Sequence, residues 1–466
     1  MDNPLKWMKV PQPLVERLGD AAAVIESSSG MVRVISHYDG DGISSAGMIS
    51  KALGRLGLRF HTTMTNVLKE EDFSDLDGGF ELLIVSDMGS SQAEMISKKV
   101  LALGARAIIL DHHNIDGRRN PFSISDGGGV VEINPRFHRI DGTTGCSGST
   151  LSFLLAITLS PENVDLCIFS LAGSLADRQH VPNFSELNYS IRNLAIENGY
   201  LTSSKGMPFS GRSISEALVT SNDPFIDGVS SDEDAVRALL SHMSINPFIP
   251  IEEVESEKMK VLQSYVYMRL LRNGVKKSLV HELFRENFHS KDYGSLQDLA
   301  YAIDGCGRFG KASLGFQVVW GDMEAYKKAL DDRYEYKKNI QELLLKRKKE
   351  GVKDLEYIQW FEMDEDTLSG TIAGLGHNYI FDHEKPMIAI APGDNGMMKV
   401  SSRGDREMCR KGLDLSLVMR EAGKKVGGGG GGHNVAAGGH FPRDRIEEFL
   451  KTCDRLVGEQ LRKKGG

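Results

Sequence analysis

Met31-Val32-Arg33-Val34-Ile35 runs directly into Ser36-His37-Tyr38-Asp39-Gly40-Asp41-Gly42, a strand-like apolar segment that delivers a histidine and two aspartates at its end. Alternate residues of an extended chain point the same way, so His37, Asp39 and Asp41 are expected to converge on one pocket. The interleaved glycines let the backbone turn tightly and approach a ligand. Imidazole combined with carboxylate favours Mn, Zn or Fe over Ca, with Mg suited where carboxylates dominate. The plain alternative is a solvated Asp-Gly turn at a strand end.

Two further apolar runs repeat the pattern. Glu81-Leu82-Leu83-Ile84-Val85-Ser86 ends in Asp87-Met88-Gly89, and Ala105-Arg106-Ala107-Ile108-Ile109-Leu110 ends in Asp111-His112-His113. Strands of this kind would each carry ligand chemistry at the C-terminal edge of a parallel sheet, where ligands bind. Leu171-Ala172-Gly173-Ser174-Leu175-Ala176-Asp177-Arg178 offers another acid, which reads equally as a helix-end Asp-Arg pair. Helical spacing covers 43–56, 91–103, 148–159 and 164–176, with strand patterns at 60–65 and 130–135. That alternation predicts a doubly wound parallel sheet. Thr143-Thr144-Gly145-Cys146-Ser147-Gly148, just before a helix, is either an anion-facing N-terminus or a plain helix cap.

A chain of 466 residues exceeds the length at which one core stops growing, so two or three domains are expected. The expected division is 1–205, 206–350 and 351–466. Pro224, Pro247 and Pro250 separate helical stretches in the middle segment, with helices expected over 252–273 and 322–349. From 351 onward α/β patterning returns, with strands at 357–363, 387–391 and 398–402 and helices at 366–375 and 445–462. The expected fold is therefore an N-terminal doubly wound α/β domain, a helical or mixed insertion domain and a smaller C-terminal α/β domain. Apolar content of 40% and charge of 26% are ordinary for a soluble protein. No apolar run approaches the ~20 residues of a membrane span and no signal-peptide core opens the chain, so a cytoplasmic location without membrane contact is expected. Five cysteines without a C-x-x-C pair argue against a zinc knuckle, an iron-sulfur site or a disulfide framework. With 64 acids against 56 bases the net charge is −8, so binding a polyanion must rely on a local patch and on metals. Lys346-Arg347-Lys348-Lys349 is such a patch or a solvated helix end.

Taken in order, His37-x-Asp39-x-Asp41-Gly42, Asp87-x-Gly89, Asp111-His112-His113 and Asp177 resemble the motifs of the DHH phosphoesterase superfamily. Gly430-Gly431-Gly432-His433-Asn434-Val435-Ala436-Ala437-Gly438 resembles the signature of the DHH-associated C-terminal domain. Backbone N–H groups from Gly427 to Gly432 are expected to form a phosphate-binding concavity with His433 at its rim, the alternative being a flexible linker. Arg403, in Ser401-Ser402-Arg403-Gly404, resembles the family's Ser-x-Arg element; its fork suits a phosphate, although a plain surface arginine is the alternative. Ala302-Ile303-Asp304-Gly305-Cys306-Gly307-Arg308 resembles a segment of archaeal RecJ-like proteins, in which Arg308 would reach substrate or brace an interdomain contact.

The resemblance implies an active site in the cleft between the two α/β domains, with two divalent metal ions, Mn(II) first and Mg(II) second in expectation. Carried over residue by residue, His37 and Asp39 would hold one metal, Asp41, His112 and Asp177 the other, and Asp87 would bridge them. Asp111 would orient His112, His113 would donate to the substrate phosphate or leaving oxygen, and Arg403 and His433 would serve the phosphate. The glycine motif separates the chain from the inorganic pyrophosphatases, and the His37 and Asp111 motifs separate it from alanyl-tRNA editing proteins. Segment 206–350 resembles the archaeal RecJ-like nucleases of the GINS-associated type more than the shorter oligonucleotide and cyclic-dinucleotide phosphodiesterases. The implied function is a two-metal exonuclease specific for single strands, acting 5′→3′ on DNA in replication or repair. Alternatives are 3′→5′ action on single-stranded RNA or DNA, a short-substrate phosphodiesterase, and a non-enzymatic replication-helicase scaffold. Single-stranded nucleic acid and the GINS complex are the implied partners, the latter docking on the insertion. Trp320, Tyr326, Tyr357 and Trp360 would stack bases or serve as core aromatics.

Overall fold

Along three neighbouring strands the apolar residues alternate between two cores, and that alternation builds the first α/β layer. The computed structural model describes residue 5 and residues 8–69, 79–115, 120–123, 127, 129–393 and 396–463. Strands β1 (Val32–His37), β2 (Phe60–Thr65), β3 (Leu82–Ser86), β4 (Arg106–Leu110) and β5 (Val130–Ile133) form a wholly parallel sheet in the order β2-β1-β3-β4-β5. Val32, Val34, Leu82, Ile84, Ile108 and Leu110 face one core, shared with helices Gly40–Arg55, Gly148–Leu159 and Cys167–Ala176. Ile35, Leu83, Val85, Ala107 and Ile109 face the other, under helix Ala93–Ala102. Each such aliphatic side chain contributes about 1.5–3 kcal/mol when fully buried. The expected doubly wound sheet is the one that forms, and its strand order reverses between β1 and β3, the switch point at which such sheets bind ligands.

The middle of the chain is grouped differently from the expected 206–350 domain. One compact unit comprises Met1–Gly206 with Arg285–Arg333, and the other comprises Met207–Phe284 with Tyr334–Gly466. Strand pairing explains the first grouping: β6 (Leu201–Gly206) pairs antiparallel with β7 (Arg285–Ser290), which pairs with the short β8 (Gly294–Ser295). Helix Leu296–Arg308 then sends Leu296, Leu299, Ile303 and Cys306 into the first core. Shared burial explains the second, because Ile214, Phe225, Leu262, Val266 and Leu270 lie in one cluster with Phe361, Ile372 and Met387. Among the described residues the apolar faces of 206–350 form no core of their own and are completed by the flanking segments.

In the second unit, β9 (Lys353–Asp354), β10 (Gln359–Glu362), β11 (Met387–Pro392), β12 (Met397–Arg403), β13 (Gly429–Gly432) and β14 (Ala436–Pro442) form a mixed sheet in the order β13-β14-β12-β11-β10-β9. Met387 and Ala389 face the cluster under helix Ser369–Tyr379, while Ile388 and Ile390 face helices Leu415–Lys425 and Ile446–Lys463. The glycine run, expected as a concavity, is the edge strand of this sheet, with Gly429 to Gly432 in register with His440 to Ala437. Its composition has a packing cause. A Cβ on Gly430 would lie 2.6 Å from the Met419 carbonyl oxygen, and one on Gly423 would lie 2.8 Å from the Gly429 backbone, so glycine lets strand and helix meet backbone to backbone. No helix among the described residues is long and apolar enough to cross a membrane. The five cysteines are unpaired, and four of them are buried.

Candidate metal centre

His37 ends β1, and the chain turns at once into helix Gly40–Arg55, so the extended i, i+2, i+4 geometry expected for His37, Asp39 and Asp41 does not occur. A Cβ at Gly42 would fall 2.2 Å from the His37 carbonyl oxygen, which is why this turn takes glycine. Asp39 caps the helix, its Oδ1 accepting from Gly42 N at 3.1 Å. Asp41 lies in the first turn and points elsewhere. Its carboxylate accepts from Gly148 N (2.7 Å), Ser149 N (3.1 Å) and Ser147 Oγ (2.9 Å), at the positive end of helix Gly148–Leu159. Both readings of the 143–148 segment therefore hold: Ser147 forms a capping box with Thr150, and the anion at the helix start is the protein's own Asp41.

Asp87, just past β3, sits at φ 57°, a left-handed conformation uncommon for a residue with a Cβ. Such conformations persist where the surroundings dictate them and gather at functional sites. Gly148 presses on this residue, since a Cβ there would lie 2.7 Å from Asp87 Cβ. Asp87 Oδ1 lies 3.1 Å from His112 Nε2, and Oδ2 lies 3.7 Å from His37 Nδ1. His112 Nε2 also approaches Asp177 Oδ2 (3.4 Å) and Asp41 Oδ2 (3.8 Å), while its Nδ1 faces the Gly142 carbonyl at 2.5 Å. Asp177 follows helix Cys167–Ala176 and faces His112; among the described residues no ion pair joins it to Arg178, the partner in its plain reading.

Asp111 corrects one expectation. It was expected to orient His112, but its Oδ1 accepts from His113 N (3.0 Å) and meets His113 Nδ1 (2.8 Å), while Oδ2 accepts from Ser90 N (2.8 Å). The Gly142 carbonyl does the orienting instead, and the sequence carried no signal for it. His113 remains 56% exposed, with Nε2 the ring nitrogen left for another partner.

Electrostatics at this edge are set by burial against the imidazoles. Burial pushes Asp41 well above the usual carboxylate range, reinforced by Asp87 and Asp177. Burial and the neighbouring Asp87 and Asp39 charges lift Asp177 to about 6 against the pull of His112. Burial also lifts Asp39, opposed by the nearby His37 imidazole. Asp87 goes the other way, because His112 and His37 outweigh its burial and hold it below the ordinary value. Burial works against a charge on His37, yet Asp39 and Asp87 raise it to about 10; His112 rises well above its usual value for the same reason, through Asp87, Asp177 and Asp41. The Asp111 pair raises His113.

A metal fits these residues. Two groups, His37 with Asp39 and Asp87, and Asp41 with His112 and Asp177, each bring ligand atoms within 4.8 Å of one another, and a third combines Asp87 with His112 and His113. His37 Nδ1 is buried and faces Asp39 Oδ2 at 2.9 Å and Asp87 Oδ2 at 3.7 Å without a hydrogen bond of ordinary geometry to either, an arrangement that a cation held among the three would satisfy. Four carboxylates carrying −4 beside two neutral imidazoles balance two divalent cations.

The remaining predicted residues fall elsewhere. Arg308 Nε donates to Asp304 Oδ2 (2.6 Å), whose Oδ1 accepts from Gly40 N (3.1 Å), so the Asp304-Arg308 pair abuts the Asp39 turn within the first unit. A Cβ at Gly307 would lie 1.8 Å from the Tyr38 carbonyl oxygen, which explains that segment's glycine. Arg403 ends β12; burial lowers its pKa, its Nη1 donates to Ser402 O (2.9 Å), and among the described residues it has no acid partner. His433 is exposed in the turn after β13, where its N–H donates to Ala436 O (2.8 Å). In the basic run, Lys346 pairs with Asp364, Arg347 with Glu350 and Lys348 with Asp227, so those charges brace the helix end. Tyr326 is buried and donates to Tyr293 O, whereas Trp320 is exposed and stacks on Phe316. Tyr357 and Trp360 are half-buried beneath Arg462 and Lys353.

The DHH family N-terminal domain matches residues 31–163 and the DHHA1 domain matches residues 360–459. An uncharacterized protein of Methanocaldococcus jannaschii, MJ0831, is 31% identical over 445 residues, covering 93% of this chain and 95% of the relative. RecJ of Thermus thermophilus, solved in complex with Mn2+, superposes with a TM-score of 0.55 at 15% identity over 97% of this chain, which spans 56% of that protein. CDC45 of Entamoeba histolytica superposes with a TM-score of 0.56 at 12% identity, covering 98% of this chain and 99% of that one.

The neighbouring carboxylates favour the protonated forms of His37 and His112 in the metal-free protein, and a cation takes their lone pairs only after those protons leave. Metal affinity should therefore rise with pH, and binding should release at least about one proton. Calorimetric Mn(II) titration at pH 7 in buffers of different ionisation enthalpy measures this; heats independent of buffer would contradict the ligand assignment of the histidines.

Proposed function

The chain belongs to the DHH family of metal-dependent phosphoesterases, and from that membership we propose that it is a two-metal exonuclease hydrolysing single-stranded nucleic acid, 5′→3′ on DNA in replication or repair. The observation that supports this most is the arrangement of Asp87, whose two oxygens face two separate ligand groups at the β1/β3 switch point. His37, Asp39 and Asp87 would hold one ion and Asp41, His112, Asp177 and Asp87 the other. When bound, divalent ions supply Lewis-acid polarisation of phosphate oxygens and a lowered pKa for water. Mn(II) is proposed over Mg(II) because two imidazoles enter the donor set.

The chain's own residues have separable tasks. His113, whose charged form Asp111 favours, would donate from Nε2 to a substrate oxygen. Asp111 is the positioning residue for that ring. Arg403, lacking an acid partner among the described residues, would take a phosphate as its counter-ion, with Gly430 to Gly432 two strands away in the same sheet and His433 in the turn that follows them. Arg308, held by Asp304 next to the Asp39 turn, would meet a substrate phosphate at the metal edge. Retention of every ligand-type side chain argues against a purely scaffolding role. GINS remains the proposed protein partner, docking on segment 206–350, in which Phe248 and Met268 are exposed.

Digestion of 5′- and 3′-labelled single-stranded DNA and RNA in Mn(II) or Mg(II) tests the reading. Mononucleotide release from the 5′ end of DNA is expected, and Asp87→Ala should lower it at least about 100-fold. Full activity of that variant would contradict the bridging role, and cleavage of dinucleotides but not of twenty-mers would contradict the exonuclease reading. In a pull-down, the double variant Phe248→Ala with Met268→Ala should lose GINS; undiminished capture would refute that docking surface.

A further inference from the structure

A buried polar chain with no ionisable member runs behind one of the two ligand groups. Gln179 Nε2 donates to the Gly142 carbonyl (3.1 Å), the same oxygen that His112 Nδ1 meets, and lies 3.5 Å from Asp177 Oδ2. Gln179 Oε1 accepts from Asn188 Nδ2 (2.7 Å). Asn188 Oδ1 accepts from Thr150 Oγ1 (2.5 Å) and lies 3.2 Å from Ser174 Oγ, which shares its single proton with the Ser170 carbonyl (3.0 Å). Ser147 Oγ lies 3.0 Å from Ser174 Oγ and 3.2 Å from Thr150 Oγ1, and it donates to Asp41 Oδ1. Starting from Gln179 and Asn188, the bonds thus reach His112, Asp177 and Asp41, the whole of one group. Both amides are buried, and each uses its donor and its acceptor.

Resting on the metal-dependent reading above, we infer that the Gln179-Asn188 amide pair is the positioning frame of the Asp41, His112 and Asp177 site, making it the stiffer and tighter of two unequal metal sites. The Gly142 carbonyl, taking bonds from Gln179 and His112 on its two lone pairs, fixes the imidazole with Nε2 toward the metal position. A fully satisfied buried network rigidifies what it touches. The other group has no comparable support among the described residues. Its His37 Nδ1 lacks a hydrogen bond, Asp39 accepts one bond from Gly42, and both side chains keep 24% and 22% exposure. A site of that kind exchanges its ion more readily.

Mn(II) binding isotherms on the full chain, with free ion counted by electron paramagnetic resonance, test the frame without reference to activity. Wild-type protein should show a tight and a weaker class, and His37→Ala should remove the weaker one. Gln179→Met and Asn188→Leu, which keep volume but lose the bonds, should weaken the tight class 10- to 100-fold while leaving the weaker class unchanged. Ser174→Ala, which removes the weaker of two hydroxyl contacts to Asn188 and the contact to Ser147, should show the same selective loss in smaller measure and carries the test if the other variants fail to fold. Equal weakening of both classes together with a lower Tm of the metal-free protein would overturn the frame in favour of a merely structural role, as would unchanged isotherms in all three variants. Wild-type protein that takes up no Mn(II) would instead overturn the metal-centre reading itself.

Discussion

Burial of like charge at one sheet edge is the constraint that the first unit is organised around. Asp41, Asp87 and Asp111 are buried within reach of one another's neighbours. Each carboxylate taken from water costs several kcal/mol unless charge and hydrogen bonds replace its hydration. The chain meets that cost in a different way at each residue. Asp41 rests on backbone N–H groups at a helix start, and Asp111 on Ser90 N and His113. Among the described residues, the Asp87 carboxylate meets the two histidines, one on each side. The close-approach glycines follow from the same constraint, because Gly42, Gly142 and Gly148 stand where a Cβ would collide with the residues that present ligands.

Much of this was legible in the sequence because it depends on local pattern. Strands β1, β3 and β4 announce themselves by apolar runs that stop at acids or histidines, and helix Gly148–Leu159 begins and ends where its spacing predicts. The acids and histidines brought together are those the motifs marked, although the turn after His37 sends Asp41 to a different group than a strand would. What the sequence hid depends on distant backbone. The Gly142 carbonyl, the Gly430 contact with Met419 and the Asp304 bond to Gly40 are close approaches between remote segments, and no residue type signals them in advance. The domain division was hidden for a similar reason: the β6-β7 pairing joins residues separated by the whole 207–284 segment.

The second unit follows a simpler rule. Its glycine strand exists so that a helix can lie against backbone, and its charged groups are largely paired, as at Lys276 with Asp405 and Glu384. Arg403 stands apart as a half-buried guanidinium whose one bond runs to its neighbour's carbonyl.

The account stands or falls on whether one carboxylate, Asp87, serves two ions. Low-temperature electron paramagnetic resonance of the protein loaded with two equivalents of Mn(II) measures this directly. A carboxylate shared between the two groups predicts an exchange-coupled pair whose coupling is lost in Asp87→Ala. Two uncoupled mononuclear signals in the wild-type protein would contradict it.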